Sequence, residues 1–227
     1  MRETVITIDG PAAAGKTTLA AGIAKTLDVG VLNSGLLYRA ATWVMRERNL
    51  RGSLPEDLVK ALEKADLVYD DSREGGGIRM AGQDISTQLQ DPGLTRDIHL
   101  VADAPEVRRY MHVWQRRLCQ GCWRVAEGRD QGSEVFPGAA LKIFLDASPE
   151  VRLTRRHLQL KASGVTMDLE LLRQDMRKRD EGDRSRPMGA LRLAEGARVL
   201  DSTNLNREEA LAKALEWIRK ECPGAGG

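Results

Sequence analysis

The chain has 227 residues, of which 41% are hydrophobic and 30% charged, and its formal net charge is +2. This length favours one sizeable α/β core, with or without a small inserted lobe, over two equal domains. No apolar run approaches the roughly 18 residues of a membrane-spanning helix, and acidic residues flank the apolar run near the N-terminus, unlike in a signal peptide. We therefore expect a cytoplasmic protein, and a charge so close to neutral gives no reason to expect a nucleic acid or a membrane as partner.

A phosphate-binding loop is the first recognisable motif. The sequence GPAAAGKT at residues 10–17 matches GxxxxGK(S/T) at every fixed position, with a β-branched apolar run before it and helical spacing after it. We expect Lys16 to reach the β- and γ-phosphates of ATP and the Thr17 hydroxyl to hold Mg²⁺. The alternative is a glycine-containing turn with a chance Lys-Thr pair. The other predicted ATP-binding residues of this loop are Gly10, Ala13, Ala14, Gly15 and Thr18.

The first half of the chain alternates short strands with helices. Residues 29–32 predict a second strand, Asn33-Ser34-Gly35 a turn that opens a helix, and Ser53 with Glu56 a capping box for a helix to about Lys64. Short apolar runs at 67–69, 78–80 and 83–85, joined by glycine turns such as residues 74–77, then indicate an inserted antiparallel β lobe.

Two helices with proline starts precede the second half of the sheet. They run from Pro92 to about Val101 and onward from Pro105, and a third core strand at 123–126 follows. That strand ends in the polar sequence EGRD at 127–130, at the sheet edge where open α/β folds bind ligands. The remaining predicted elements are a strand at 141–145, a helix capped by Ser148, a strand at 199–200, a helix capped by Asn206 and a frayed tail at 222–227.

Nine arginines lie between residues 152 and 192, in two predicted helices and a polar turn at 181–187. Fixed guanidinium groups offset the repulsion between two phosphates, so this cluster favours phosphoryl transfer between nucleotides over simple hydrolysis. About half of the nine, chiefly Arg152, Arg173 and Arg192, are interpreted as solvated surface residues. Cys119 and Cys122 have CxxC spacing, but without a second pair they are interpreted as incidental thiols, with a metal or redox site as the alternative.

Several longer stretches together resemble the bacterial cytidylate kinases, which transfer the γ-phosphoryl group of ATP to CMP or dCMP. The resemblance covers nearly the whole chain, and Arg179 opens the matching R-D-x-x-D-R-x-R run. The other matching stretches are TIDGPAAAGKTT, NSGLLYR, EGRDQGSEVFP, KIFLDASPEVR, RRHLQL and VLDST.

The resemblance implies one kinase domain with a five-stranded parallel sheet flanked by helices. Its parts would be a core at 1–32, 122–153 and 167–221, a monophosphate-binding lobe at 33–121, a lid at 154–166 and the tail. The implied catalytic residues are Lys16, Arg129, Arg155, Arg179 and Arg186. For the acceptor pocket the resemblance implies Ser34, Tyr38 and Arg39. Arg39 and Arg129 would bind the monophosphate, Arg108 and Asp130 the cytosine, and Arg179 and Asp183 the ribose. Arg179 and Arg186 would also lie near the transferring phosphate. Arg155 and Arg156 would close over ATP from the lid.

The chain departs from the family pattern at Asn33, Gln131 and Gly182, and more notably at His99. His99 stands where the family typically has a serine that contacts cytosine, so it is a further candidate for base binding. The alternative is that His99 faces solvent. Two other functions stay open: a kinase with different base specificity, such as for UMP, and a nucleotide-dependent RNA-binding module. We expect a monomer, because large interfaces would hamper the moving lobes.

Overall fold

The computed structural model describes residues 3–71 and 75–226. Its strands are β1 (Glu3–Asp9), β2 (Gly30–Asn33), β3 (Leu67–Asp70), β4 (Gly77–Met80), β5 (Gln83–Asp84), β6 (Arg124–Gly128), β7 (Ala139–Asp146) and β8 (Arg198–Asp201). Its helices are α1 (Lys16–Leu27), α2 (Ser34–Glu47), α3 (Pro55–Glu63), α4 (Pro92–Ala102), α5 (Pro105–Leu118), α6 (Pro149–Ala162), α7 (Leu169–Ser185) and α8 (Arg207–Glu221). A 3₁₀ turn at Gln88–Gln90 and a π-helical turn at Gln131–Val135 complete the elements.

Five strands form a parallel sheet in the order β2-β6-β1-β7-β8, as the sequence predicts. Asp9 at the end of β1 pairs with Gly128 at the end of β6, and Asn33 at the end of β2 pairs with Glu127. The carboxyl ends of these three strands therefore meet at one edge, and the phosphate loop, the start of α2 and the EGRD sequence all lie there.

Apolar side chains bury both faces of this sheet. On one face, Ile23 of α1 and Ile218 of α8 pack on the central strands, and both are at most 1% exposed. On the other face, Leu37 of α2 and Val107 of α5 join the same core as Ile78 of the second sheet. Helices packed on both faces of the sheet therefore fix the edge at which the phosphate loop, the start of α2 and the EGRD sequence lie.

The inserted lobe is a second sheet, with β3, β4 and β5 antiparallel as predicted. The Tyr69 hydroxyl joins this lobe to the main sheet: it donates to the Val31 carbonyl oxygen at 3.0 Å and accepts from the Asn33 amide at 2.9 Å. Of the glycine turn predicted at 74–77, Gly75 and Gly76 have φ of 78° and 86°, and Glu74 lies outside the described residues.

Three local predictions are wrong. The residue that precedes α3 is Leu54, with no side-chain cap, so Ser53 forms no capping box. The polar turn at 181–187 is helix as far as Ser185, because buried ion pairs of Asp180 and Asp183 hold α7 against the core. The tail is not frayed at Cys222, which is 3% exposed and whose amide donates to Ile218, whereas Pro223, Gly224 and Gly226 are exposed; Gly227 lies outside the described residues.

Within the described ranges, no helix has the length and apolar character that a bilayer span requires.

Candidate active site

The loop between β1 and α1 has the backbone of an anion-binding nest. Ala13 and Gly15 have φ of 60° and 102°, so successive amides turn toward the start of α1. Gly10 has φ of 155°, and a Cβ built there would lie 2.0 Å from the Leu145 carbonyl oxygen. Glycine at this position therefore lets the loop pass against β7.

Lys16 and Thr17 follow the loop and point to different partners. Lys16 Nζ donates to the Pro11 carbonyl oxygen at 2.8 Å, which folds the ammonium group over the loop. The Thr17 hydroxyl donates to a Glu127 carboxylate oxygen at 2.6 Å. Burial and the charge of Arg129 lower the pKa of Lys16 to about 7. A bound polyphosphate would supply the missing negative charge and return Lys16 to its cationic form.

Two arginines of α6 donate hydrogen bonds to backbone carbonyl oxygens of the phosphate-binding loop. Arg152 is 5% exposed, donates to the Ala12 carbonyl oxygen at 3.2 Å and pairs with Asp180 at 2.7 Å. The interpretation of Arg152 as a solvated residue is therefore wrong. Arg155 donates to the Ala14 carbonyl oxygen at 3.2 Å and to the Ser202 hydroxyl and carbonyl at 3.0 and 2.8 Å. Its guanidinium thus joins the loop to the end of β8, whereas the resemblance implied a position over ATP.

A second group of arginines faces Lys16 across the sheet edge. The Asp183 carboxylate accepts from Arg129 Nε at 2.6 Å and forms an ion pair with Arg186 Nη2 at 2.9 Å. Arg179 lies one helical turn before Asp183, and burial and the charge of Arg129 lower its pKa to about 10. Since Arg129 and Arg179 also lower the pKa of Lys16, while Glu127 and Asp183 raise it, these cations share two carboxylates.

The start of α2 supplies the third part of the site. The Ser34 hydroxyl donates to the Glu127 carbonyl oxygen at 2.8 Å, which ties α2 to β6. Arg39 donates to the Leu89 carbonyl oxygen at 3.1 Å and to the Thr95 hydroxyl at 2.9 Å. Burial and the charge of Arg156 lower the pKa of Arg39, so α6 contributes a cation to the same region.

Beyond β6, Tyr38, Arg108, His112 and Asp130 form a buried cluster of polar side chains, which we call the polar pocket. Arg108 of α5 is 2% exposed, donates from Nη2 to Asp130 Oδ2 at 2.6 Å and stacks 5.1 Å from the centre of the Tyr38 ring. Burial opposes ionisation of Asp130, but hydrogen bonding from His112 and the charge of Arg108 outweigh it and lower the pKa of Asp130 to about 2. The pocket therefore offers a guanidinium beside an ionised carboxylate.

Known proteins match this chain over most of its length. A family model described as cytidylate kinase matches residues 6–220. A cytidylate kinase from Rhodopirellula baltica is 40% identical over 218 residues, which cover 96% of this chain and 93% of that protein. The chain belongs to the cytidylate kinase family. A cytidylate kinase from Carboxydothermus hydrogenoformans is 39% identical over 216 residues, covering 95% of this chain and 97% of its own length.

Solved structures share the α/β fold with this family member. TT1252 from Thermus thermophilus has a TM-score of 0.50 at 20% identity and covers 99% of this chain and 100% of its own. An uncharacterised protein from Eubacterium ventriosum has a TM-score of 0.53 at 10% identity, covering 95% and 98%. At such identities the likeness concerns the fold alone.

His99 does not join the polar pocket of this family member. Its side chain is exposed, and Nδ1 lies 2.6 Å from the Arg96 carbonyl oxygen of its own helix. The structure thus agrees with the alternative in which His99 faces solvent. Of the loop residues implied in ATP binding, Thr18 is also exposed, whereas Ala14 is 1% exposed.

Sequence reasoning missed three buried polar residues at this edge. Asp9 accepts from the amides of Gln131 and Gly132 at 2.9 and 2.7 Å, and burial raises its pKa to about 7. Glu127 holds Thr17, and His112 contacts Asp130. Asp9 and Glu127 carry a signal that was available, since each ends a predicted strand at the binding edge. Cys119 is buried, which raises its pKa to about 12, and both thiols of the CxxC are free.

Proposed function

We propose that this protein transfers the γ-phosphoryl group of ATP to CMP or dCMP. The observation that carries the proposal is the pair of arginines held by Asp183 opposite Lys16. One nest and lysine suffice for the donor phosphates, so further, partly buried cations across the same edge suit a second phosphate group. Membership of the cytidylate kinase family supports the proposal that this second phosphate group belongs to a nucleoside monophosphate.

In this proposal the reaction is a direct in-line displacement. The acceptor phosphate is already ionised at neutral pH, so it needs no general base. The protein instead supplies positive charge and aligns the two phosphates for transfer. Lys16 and the loop amides bind the donor phosphates. Arg39 and Arg129 grip the monophosphate, while Arg179 and Arg186 stabilise the negative charge on the oxygens of the transferring group.

Mg²⁺ fits the donor side of the site. The Thr17 hydroxyl and the Glu127 carboxylate lie 2.6 Å apart at the end of the nest, and Mg²⁺ prefers such oxygen ligands. We propose that these two residues hold it beside the phosphates of ATP. Bound there, the ion would neutralise charge on the β- and γ-phosphates.

The base is proposed to bind in the polar pocket. Cytosine presents an amino donor beside a ring nitrogen and a carbonyl acceptor, and Asp130 with Arg108 complements that edge. We retain Ser34 and Tyr38 as lining residues and Asp183 with Arg179 as ribose contacts. The pocket is built without His99, whose exposure gives it no part in this proposal.

Residues 154–166, the end of α6 and the turn after it, are proposed as a lid that excludes water from the γ-phosphate. Arg156 is its candidate contact with ATP. Arg155 instead supports the phosphate loop, a positioning role in place of direct contact. The division into core, monophosphate lobe and lid, the cytoplasmic location and the monomeric state are parts of the same proposal.

The test is ADP release, measured by a coupled assay with CMP, dCMP, UMP and AMP in turn. We expect CMP or dCMP to accelerate ATP consumption far above the acceptor-free rate, and UMP and AMP to do so much less. Lys16→Ala should abolish that acceleration. Lys25→Ala, an exposed change on the same helix, is the matched control and should leave it intact.

The rival functions predict different results in the same experiments. Preference for UMP over CMP would support a kinase of another base specificity. No acceleration by any acceptor would refute the kinase proposal. Salt-sensitive RNA affinity in a filter-binding titration would then favour the RNA-binding module, although Arg152, Arg129 and Arg186 are already paired with carboxylates.

A further inference from the structure

His112 is a buried histidine to which the proposed reaction assigns no task. It lies on α5 one turn after Arg108, and its side chain is 6% exposed. Its Nε2 lies 2.9 Å from Asp130 Oδ2, the same oxygen that Arg108 Nη2 contacts at 2.6 Å. One carboxylate oxygen is thus held by two side chains of one helix.

The direction of the hydrogen bond follows from the charge on Asp130. With a pKa of about 2, Asp130 is ionised at neutral pH and can only accept. The shared hydrogen therefore belongs to His112, which carries it on Nε2. This holds for the neutral ring and for the imidazolium alike, since both can present a hydrogen at Nε2.

The second oxygen of Asp130 is left for a ligand. Its Oδ1 has one weak contact, with Gln131 Nε2 at 3.4 Å. Around this pocket the Tyr38 hydroxyl, Arg108 Nε and Gln131 Oε1 are buried without a hydrogen-bond partner among the described residues. Unpaired buried polar atoms are costly, and these belong to Arg108, to Tyr38, which stacks on Arg108, and to Gln131, which contacts Asp130 Oδ1. They therefore point to a polar molecule that binds at this ion pair.

We propose that His112 is a positioning residue for base recognition: by donating to Oδ2 it holds the Asp130 carboxylate with Oδ1 free to accept from the amino group of cytosine. The role rests on the proposed function, because it concerns the base of the same acceptor. Uracil has a carbonyl oxygen where cytosine has the amino group, so a fixed carboxylate also repels UMP.

A metal ion is the competing use for this cluster. Donor atoms of His112, Asp130 and Glu134 all lie within 4.8 Å of one another. However, Arg108 already occupies Asp130 Oδ2, and both Glu134 oxygens accept from the Gly189 amide at 3.0 Å. A cation would have to displace these donors and face the guanidinium, so the cluster suits an organic ligand.

The experiment compares His112→Leu with His112→Gln. Leucine removes the donor, whereas the glutamine amide can place an N–H near the position of Nε2. For His112→Leu we expect KM for CMP to rise roughly 10-fold, as for a lost hydrogen bond to a charged group, with kcat within about 2-fold of wild type. The preference for CMP over UMP in kcat/KM should fall, and His112→Gln should restore most of both.

Val113→Ala changes an exposed residue of the same helix and is the matched control. KM for ATP and the melting temperature are measured alongside. His112 is not a positioning residue if His112→Leu keeps the wild-type KM and CMP preference, or if both His112 variants lose kcat for CMP and UMP equally. A wild-type enzyme without CMP-dependent ADP release would instead refute the proposed function itself.

Discussion

Replacement of Asp183 by asparagine tests the arginine cluster most sharply. Asp183 is 3% exposed, accepts a hydrogen bond from Arg129 at 2.6 Å and forms an ion pair with Arg186 at 2.9 Å. Asparagine keeps the shape and one acceptor oxygen but removes the charge. Arg129 would then lose its ionic partner, and Arg186 would lose one of two, since its Nε also donates to Asp103 at 2.6 Å, so both the fold and the site should be destabilised.

The magnitude follows from the burial of the pairs. Removing one partner of a buried ion pair typically costs ~3–5 kcal/mol. Because the side chains of Arg129 and Arg186 keep 17% and 12% exposure, we expect the lower end, about 3 kcal/mol. For a chain of this length that lowers the melting temperature by roughly 6–12 °C. Misaligned guanidinium groups should also lower kcat/KM about 100-fold.

Thermal unfolding at several pH values and steady-state kinetics measure both effects. Burial raises the pKa of Asp183, but the charges of Arg129 and Arg186 outweigh it and hold the pKa below 3.8. The carboxylate therefore stabilises the fold above pH 3.8, and this contribution is lost as the pH falls through the folded-state pKa. The difference in melting temperature between wild type and Asp183→Asn should therefore be largest at pH 7 and should shrink below about pH 4.

Glu216→Gln is the matched control, since Glu216 pairs with Lys220 on the exposed side of α8 and should leave the melting temperature unchanged. If Asp183→Asn has the wild-type melting temperature and kcat/KM at pH 7, Asp183 is not the counterion of the cluster.

Three further changes probe residues around the phosphate loop. Because burial raises the pKa of Asp9 to about 7, its contribution to the free energy of unfolding should be lost as the pH rises from 4 to 7. Urea denaturation should show that Asp9→Asn removes this pH dependence, and equal pH dependence in wild type and variant would refute the prediction. Arg152→Met leaves Asp180 buried without its ion pair and should lower the free energy of unfolding, measured by urea denaturation, by ~3–5 kcal/mol. It should also weaken ATP binding, measured by fluorescence titration, whereas Arg173→Met, at the surface, should change neither quantity. Tyr69→Phe removes the hydrogen bonds from the inserted lobe to β2 and should cost about 1 kcal/mol and speed hydrogen exchange at the Asn33 amide; unchanged exchange would contradict that link.

Local patterns predicted most of the fold because its signals are local. Strand β1, the loop and α1 follow from residues within one contiguous stretch, and Ser148 and Asn206 cap their helices as predicted. The largest error occurs where a distant partner decides. Helix α7 continues past Asp180 because Asp183 meets Arg129, 54 residues earlier in the chain, and no periodicity within α7 indicates that contact.

The candidate site divides in the same way. Lys16 and Thr17 are fixed by a motif, whereas the burial of Arg152 depends on a loop 140 residues away. Asp9 accepts from amides of the π-helical turn that lie 122 and 123 residues later in the chain. Because the residues that bury Asp9 are so distant in sequence, its raised pKa could not be predicted from its position at the end of a strand. His112 offered a usable signal, since it lies four positions after Arg108 on the same helix.

The central claim is that donor and acceptor phosphates meet between Lys16 and the arginines held by Asp183. Incubation with CMP and ATP labelled at the γ-phosphate, followed by separation of the products, tests it most directly. The account predicts that the label leaves ATP only when CMP or dCMP is present and appears in the β-phosphate of the diphosphate. Label released as inorganic phosphate, at a rate independent of CMP, would contradict it and identify a hydrolase.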